Sequence, residues 1–218
     1  DYAAIDNATD LLASQRFENR GFDQWLTHNV DTHKKAGYAI VSLTMKKTGT
    51  PPGDVSDKQL EQIADLADEF SFGEIRVTHQ QNVVLADVRQ DRLFELWQAI
   101  TPMGFGTANL NTLTDVICCP GGDYCALANA KSIPVAEAIQ RQFDDLDYLY
   151  DLGNIDLNIS GCMNACGHHH VGNIGVLGVD KKGQEFYQIS LGGSSHHDAS
   201  IGKILGHSFA RDEMPKLI

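Results

Sequence analysis

The chain has 218 residues, of which 42% are hydrophobic and 21% are charged, a composition typical of a soluble globular protein with one large or two small domains. Its net charge of −12 repels phosphate backbones and anionic lipids, so we expect neither nucleic acid nor a membrane surface as a partner. No apolar run approaches the roughly 20 residues that cross a bilayer. The first residues lack the features of a secretory signal, and we expect a cytoplasmic protein.

The first half of the sequence predicts a small α/β domain over residues 36–104. Residues 1–35 are polar and weakly periodic, and we interpret them as an N-terminal arm with one short helix. Ser56 and Gln59 have the spacing of a capping box and predict the start of a helix. The elements predicted from hydrophobic periodicity are a strand, a helix, two strands and a helix, at residues 37–45, 57–70, 74–78, 83–88 and 90–100.

The second half, residues 105–218, is richer in glycine and asparagine and contains all the cysteines. It predicts a helix over residues 126–143, interrupted by Pro134, and then an acidic, solvated stretch over residues 144–151. A strand follows over residues 155–160. Two alternating segments on either side of Asp180-Lys181-Lys182-Gly183 predict a hairpin.

Five cysteines lie at positions 118, 119, 125, 162 and 166. An odd number of cysteines without an export signal argues against a disulfide framework. Cys119 and Cys125 are separated by five residues, and Cys162 and Cys166 by three, so each pair can bind one metal centre from a short loop. Four thiolates are what a [4Fe–4S] cluster requires, whereas Cys118 is expected to point into the core.

Two alternatives to a cluster remain open at this point. A structural zinc ion also takes four thiolates, but the paired ligands of zinc sites are usually two to four residues apart. Buried free cysteines are the other alternative, because cysteine is among the most buried residue types. Gly121, Gly122 and Gly161 favour the cluster, since glycine lets the backbone approach a ligand closely.

The segments ICCPGGDYCALANAKSIP and ISGCMNACGHHHVGNIGVLG closely resemble the paired-cysteine signature of the sirohaem-containing sulfite and nitrite reductases. The segment IRVTHQQNVVLADV, residues 75–88, is similar to the strand–turn–strand of that family's ferredoxin-like half-domain. Leu191-Gly192-Gly193 is similar to its glycine step beside the cofactor. The resemblance covers residues 36–210. It implies an α+β fold, in which a ferredoxin-like half-domain is followed by a mixed α/β domain that binds the cluster and sirohaem.

The resemblance also implies roles for individual residues. All four paired cysteines, Cys119, Cys125, Cys162 and Cys166, would bind the [4Fe–4S] cluster, and Cys166 would also bridge to the sirohaem iron. The remaining residues with an implied place near the cofactor are Asn164, Gln81, Asn82, Gly192 and Gly193. The implied reaction is the six-electron reduction of sulfite to sulfide, or of nitrite to ammonia, with a ferredoxin or a flavoprotein as electron donor.

The complete chains of this family are pseudo-duplicated, and this sequence matches only their second half. The basic residues that hold substrate and the sirohaem carboxylates come largely from the first half in that family. We therefore expect a fragment that lacks its N-terminal half, contains no catalytic residue of its own and is inactive in isolation. A bacterial sulfite reductase haemoprotein gives the best resemblance and favours sulfite. A stand-alone [4Fe–4S] electron-transfer module is the alternative.

Two groups of histidines are further candidates. His168, His169 and His170 follow Cys166 directly, and at most two of them can converge on one site, because successive residues of an extended segment point to opposite faces. They are either polar loop residues or groups near the cofactor. His196 and His197 lie in a Gly/Ser loop, where we expect them to be solvated, with a contact to a sirohaem carboxylate as the alternative.

Overall fold

Two units make up the structure, a computed structural model that describes residues 2–218. The first unit contains residues 2–47 and 54–110, and the second contains residues 48–53 and 111–218. The boundary therefore follows residue 110 rather than residue 104. The N-terminal residues belong to the first unit and do not form a separate arm.

The first unit is built on a four-stranded antiparallel sheet with the strand order β1-β2-β4-β3. The predicted capping box is present, since Ser56 and Gln59 each bond the other's backbone N–H at the start of α3. The elements of this unit are α1 (Thr9–Glu18), α2 (Arg20–Asn29), β1 (Val30–Thr32), β2 (Tyr38–Leu43), α3 (Asp57–Phe70), β3 (Ile75–Val77), β4 (Val83–Arg89) and α4 (Leu93–Met103).

The prediction of an arm with one short helix is wrong, because residues 9–29 form two helices. Phe22, Trp25, Leu26 and Asn29 of α2 are buried and recur at helical spacing. The side chain of Asn19 caps α2 by accepting the backbone N–H of Phe22. Burial of two large aromatic side chains ties this segment to the first unit.

The second unit is built on a five-stranded sheet with the order β5-β6-β7-β8-β9. Strands β5, β6 and β7 are parallel, and β8 and β9 continue the sheet in antiparallel pairing. The hairpin β7–β8 confirms the predicted one, and Lys182 and Gly183 at its tip both have positive φ. The elements are β5 (Ile117–Cys118), α5 (Ile133–Gln142), α6 (Leu146–Leu152), β6 (Leu157–Ser160), β7 (Ile174–Lys181), β8 (Gln184–Leu191), β9 (Lys203–Ile204) and α7 (Met214–Leu217).

Two expectations for the helices of this unit are corrected. The helix predicted over residues 126–143 begins only at Ile133, with Pro134 in its first turn, where a missing N–H leaves no hydrogen bond unmade. The acidic stretch contains α6, which Asp145 caps by accepting two backbone N–H groups. Among residues 2–218, no helix combines the length and the apolar character that crossing a membrane requires.

The two faces of the second sheet differ in character. Leu157, Ile159, Val176 and Ile189 point to one face and enter a core shared with α5. The alternating residues on the other face include Asn158 and Ser160 of β6. Along this second face runs the connection between β6 and β7, residues 161–173, hereafter called the crossover. The Ser160 hydroxyl accepts a crossover N–H at 3.1 Å, and the Asn158 amide donates to a crossover carbonyl at 3.1 Å.

Candidate metal centre

The topology of the second sheet brings one cysteine of each pair to the same edge. Cys119 follows β5 directly, and Cys162 lies two residues after the end of β6. Because β5 and β6 are parallel neighbours, the segments that follow them leave the sheet at the same edge. The carboxyl edge of parallel strands is where ligands bind in open α/β sheets.

Cys119 is held in place by the segment that precedes Cys162. Its N–H donates to the Ile159 carbonyl at 3.1 Å, and its Sγ accepts the Gly161 N–H at 3.1 Å. The Ser132 hydroxyl lies 3.5 Å from the same sulfur. An N–H directed at a thiolate stabilises its charge and is one of the means by which proteins tune iron–sulfur clusters.

Gly161 joins the two cysteine-bearing segments. Its carbonyl accepts the N–H groups of Asn129 and Ala130 at 2.9 and 3.0 Å. A Cβ atom at this position would lie 2.6 Å from the Ala130 carbonyl oxygen and 2.8 Å from the Gly121 Cα. Within residues 126–132, the N–H groups of Asn129 and Ala130 thus bond to Gly161 rather than within a helix. We call residues 119–132 the first cysteine loop.

The four paired thiols differ in exposure. Cys119 and Cys162 are buried, Cys125 is half-buried and Cys166 is exposed. Cys118 is 4% exposed and packs in the core, which confirms the prediction for this residue. The buried thiols come directly after the strands, and the exposed one lies farther along the crossover.

The donor set fits an iron–sulfur cluster. Within residues 2–218, no three His, Cys, Asp or Glu side chains are grouped so as to hold one metal ion. A cubane takes one thiolate at each iron, so its ligands need not converge on a single ion. Cys119 and Cys162 follow neighbouring parallel strands at one sheet edge, each has its pair partner a few residues further along the chain, and a backbone N–H already bonds to Cys119 Sγ, which is compatible with that requirement.

The three consecutive histidines of the crossover occupy different environments. His168 and His170 are exposed, whereas His169 is 3% exposed. The ring centroids of His169 and His170 are 3.9 Å apart, so two of the three histidines lie together. This agrees with the expectation that at most two of them can converge. Burial, with a smaller contribution from His170, lowers the pKa of His169 to about 4.

This lowered pKa predicts a loss of stability in acid. The unfolded chain binds a proton at His169 near pH 6.5, whereas the folded chain does so only near pH 4. Lowering the pH through this window therefore reduces the free energy of unfolding, by at most about 3 kcal/mol. Denaturant unfolding should be measured at pH 7 and at pH 4.5. The free energy of unfolding should differ less between these two pH values for His169→Gln than for the unmodified chain. Equal differences in the two proteins would contradict the assignment.

Gly192 and Gly193 lie at the opposite edge of the sheet from Cys119 and Cys162. They follow β8, which runs antiparallel to β7, and so they lie where β6 and β7 begin. A Cβ at Gly193 would lie 2.4 Å from the carbonyl oxygen of Gly172. Its close backbone approach is thus to the crossover. A contact of this pair with a cofactor stays a prediction.

The remaining predicted contacts have varied surroundings. Asn164 is exposed within the crossover. In the first unit, Gln81 adopts a left-handed turn with φ 60°. Asn82 is 4% exposed, and its amide oxygen accepts the Met45 N–H at 3.0 Å, so this side chain has a structural role inside its own unit.

His196 does not face a basic environment. Its Nε2 lies 3.5 Å from an Asp156 carboxylate oxygen, and both residues line a polar cavity of about 490 Å³. Negative charge there favours a cation over a second carboxylate. This observation supports the solvated-loop interpretation of His196 rather than a sirohaem carboxylate contact.

Sequence reasoning missed the role of Ser132 and of Asn129 in closing the site. Ser132 precedes Ile133-Pro134, and a serine before a proline in the first turn is a helix-start signal that would have separated α5 from the first cysteine loop. The bonds from residues 129 and 130 to Gly161 have no local signal, since the partners are 32 and 31 positions apart.

Comparison with known proteins agrees with this architecture. Residues 42–103 match the family profile of the nitrite/sulfite reductase ferredoxin-like half domain. The structure of the Mycobacterium tuberculosis NirA protein superposes with a TM-score of 0.70 and 26% identity, over 86% of this chain and 35% of that one. Dissimilatory sulfite reductase I shares the fold, with a TM-score of 0.59 at 14% identity.

Curated relatives include reductases of both kinds. The chain is 28% identical to a ferredoxin–nitrite reductase of Synechococcus elongatus, over 87% of this chain and 36% of the relative. It is 30% identical to sulfite reductase (ferredoxin) 2 of Mycolicibacterium paratuberculosis, over 74% of this chain and 31% of the relative. The fold is thus mixed α and β with a ferredoxin-like half-domain, and the chain is similar to reductases of nitrite and of sulfite. It spans about a third of the length of the curated relatives that it matches.

Proposed function

We propose that the chain is the cluster-carrying part of a sirohaem-containing reductase, in which Cys119, Cys125, Cys162 and Cys166 hold a [4Fe–4S] cluster. The observation that supports the proposal is that Cys119 and Cys162, one cysteine of each pair, follow the parallel neighbours β5 and β6 at their carboxyl edge, where Gly161 bonds to the Cys119 sulfur. Loops with this content at this edge are suited to binding a cofactor.

The residues of the chain would contribute positioning and electrostatics. When bound, the cluster supplies one-electron transfer, and the sirohaem supplies the iron that binds substrate. The Gly161 N–H stabilises negative charge on Cys119 Sγ. Burial of Cys119 and Cys162 keeps water from two of the thiolates, while the exposed Cys166 presents its sulfur outward, as expected of the residue that would also meet the sirohaem.

The proposed reaction is the six-electron reduction of sulfite to sulfide, with nitrite reduction to ammonia as the alternative. The segment CMNACGHHHVGNIGVLGVDKKG supports sulfite through its resemblance to the bacterial sulfite reductase haemoprotein. The names of the relatives support ferredoxin as the donor. Free thiols support a reducing, cytoplasmic location.

We further propose that turnover needs an N-terminal half like that of the longer relatives. The chain has 17 basic and 29 acidic residues, which leaves little positive charge for an anionic substrate and a carboxylate-rich tetrapyrrole. Reduction of sulfite by the purified 218-residue chain, with a low-potential donor, would contradict this requirement.

Anaerobic reconstitution tests the cluster. After incubation with iron and sulfide, we expect an absorbance band near about 400 nm and about four iron and four sulfide per chain. Metal analysis of the same sample should show no stoichiometric zinc. A colourless protein that holds one zinc ion after this treatment would replace the proposal with a structural metal site.

A further inference from the structure

A small cavity lies on the sheet face along which the crossover runs. Its volume is about 200 Å³. The apolar residues of its lining, Leu177, Ile201 and Ile204, include two that are strongly exposed, with Ile201 at 72% and Ile204 at 63%. The complete lining is His169, His170, Leu177, Gln188, Ser190, Ile201, Gly202 and Ile204. The cavity thus combines an exposed apolar part with imidazole, amide and hydroxyl groups.

One polar atom in this lining is left without a partner. His169 is 3% exposed, and within residues 2–218 its Nδ1 has no hydrogen-bond partner. Buried polar atoms are nearly always satisfied, and an exception calls for a ligand, a water or a functional reason. Ser190 is also buried, and its hydroxyl makes only a long bond of 3.5 Å to the Gly175 carbonyl. Two buried side chains of the lining, those of His169 and Ser190, therefore have unused hydrogen-bonding capacity.

The cavity and Cys166 lie on the same face of the sheet. The crossover is fixed to that face by Ser160 and Asn158, and Gly202 donates its N–H to the His170 carbonyl at 2.8 Å. Three peptide steps separate Cys166 from His169, which limits their Cα–Cα distance to about 11 Å. A ligand of tetrapyrrole size is large enough to span this distance.

We propose that the cavity holds a carboxylate side arm of the sirohaem periphery and that His169 donates a hydrogen bond to it. This inference rests on the proposed function and adds a positioning residue to it. A volume of about 200 Å³ takes a side arm but not a macrocycle. The apolar residues suit the hydrocarbon of the ring, and the imidazole, amide and hydroxyl suit the acid.

The protonation state is compatible with this role. A neutral imidazole carries one N–H donor, and a hydrogen bond to a carboxylate is stronger than one between neutral groups. A carboxylate at this position would raise the pKa of His169 from its value of about 4, because the negative charge favours imidazolium. Binding of the carboxylate thus changes the pKa of His169, which can be measured on this one side chain.

Porphobilinogen, a single pyrrole with one acetate and one propionate arm, is a suitable probe. We expect its titration into the 218-residue chain to shift the imidazole nitrogen signals of His169 in nuclear magnetic resonance spectra, with a Kd on the order of 1 mM. His169→Phe should weaken binding, followed by equilibrium dialysis, by about tenfold or more. His169→Gln keeps an N–H donor and should retain most of the affinity. The exposed His207, outside the lining, provides the control His207→Phe, which should bind as the unmodified chain does.

Three results would overturn the inference. The first is the absence of any saturable shift of the His169 signals by porphobilinogen, and the second is equal affinity in the unmodified chain and His169→Phe. The third is a shift of equal size caused by a pyrrole without acid groups, which should cause none. Iron and sulfide analysis after reconstitution decides on the cluster separately, so failure of the proposed function and failure of this inference are distinguishable.

Discussion

Replacing Cys119 by alanine is expected to abolish cluster assembly, whereas the same replacement at Cys118 should leave it intact. The two residues are neighbours and both are buried, with exposures of 9% and 4%, so the same atom is removed from similar surroundings. Only Cys119 receives the Gly161 N–H at its sulfur, and Cys118 packs in the core. Iron and sulfide should fall from about four of each per chain to below about one for Cys119→Ala.

The pair of variants separates a lost ligand from lost folding. Cys118→Ala removes a buried sulfur and should lower the free energy of unfolding by about 1 kcal/mol, with little effect on iron content. Circular dichroism of both variants shows whether the fold is kept. Equal iron contents in the two folded variants would remove Cys119 from the ligand set.

Gly161→Ala is expected to damage both the stability of the second unit and its cluster assembly. Its Cβ would overlap the Ala130 carbonyl oxygen at 2.6 Å, and backbone cannot move aside as a flexible side chain can. The two N–H groups that bond to the Gly161 carbonyl would also be displaced. We expect a loss of about 3 kcal/mol or more in the free energy of unfolding, together with loss of cluster assembly.

Gly122→Ala is the matched control, because it adds the same methyl group within the first cysteine loop. Its Cβ would meet its neighbours at 3.4 Å or more, which is ordinary contact. Thermal unfolding and iron analysis should therefore leave Gly122→Ala close to the unmodified chain. If Gly161→Ala unfolds at the same temperature as Gly122→Ala and loads the same iron, the close packing around Gly161 has no energetic role.

Elements with a local physical signal were predictable from the sequence. The hairpin β7–β8 combines alternating side chains with a turn that needs positive φ, and α3 begins at a capping box. The helices of residues 9–29 were missed although Phe22, Trp25 and Leu26 had helical spacing, because the polar residues around them hid the pattern. Strand β5 has two residues, too few for any periodicity.

For the candidate site, the grouping of the cysteines into two ligand pairs stays a prediction, whereas the burial of Cys118 was predictable because Cys119 has the better spacing. The closure of the site was not predictable, because Gly161 bonds to residues that are distant in the chain and helix-like in composition. The same holds for His169, whose burial depends on packing against β7 and β8 rather than on its own sequence neighbours.

The crossover between β6 and β7 has a consequence for how the second unit acquires its fold. Parallel strands need a long connection, usually a helix that can form by itself before the strands meet. Residues 161–173 contain no helix, and their backbone order depends on β6 and on the first cysteine loop. The folding nucleus of this unit must therefore include contacts between residues that are far apart in the chain, which slows folding. Insertions in this connection would disturb the register between β6 and β7 as well as the placement of Cys162 and Cys166, so we expect it to tolerate insertions far less than an ordinary surface loop does.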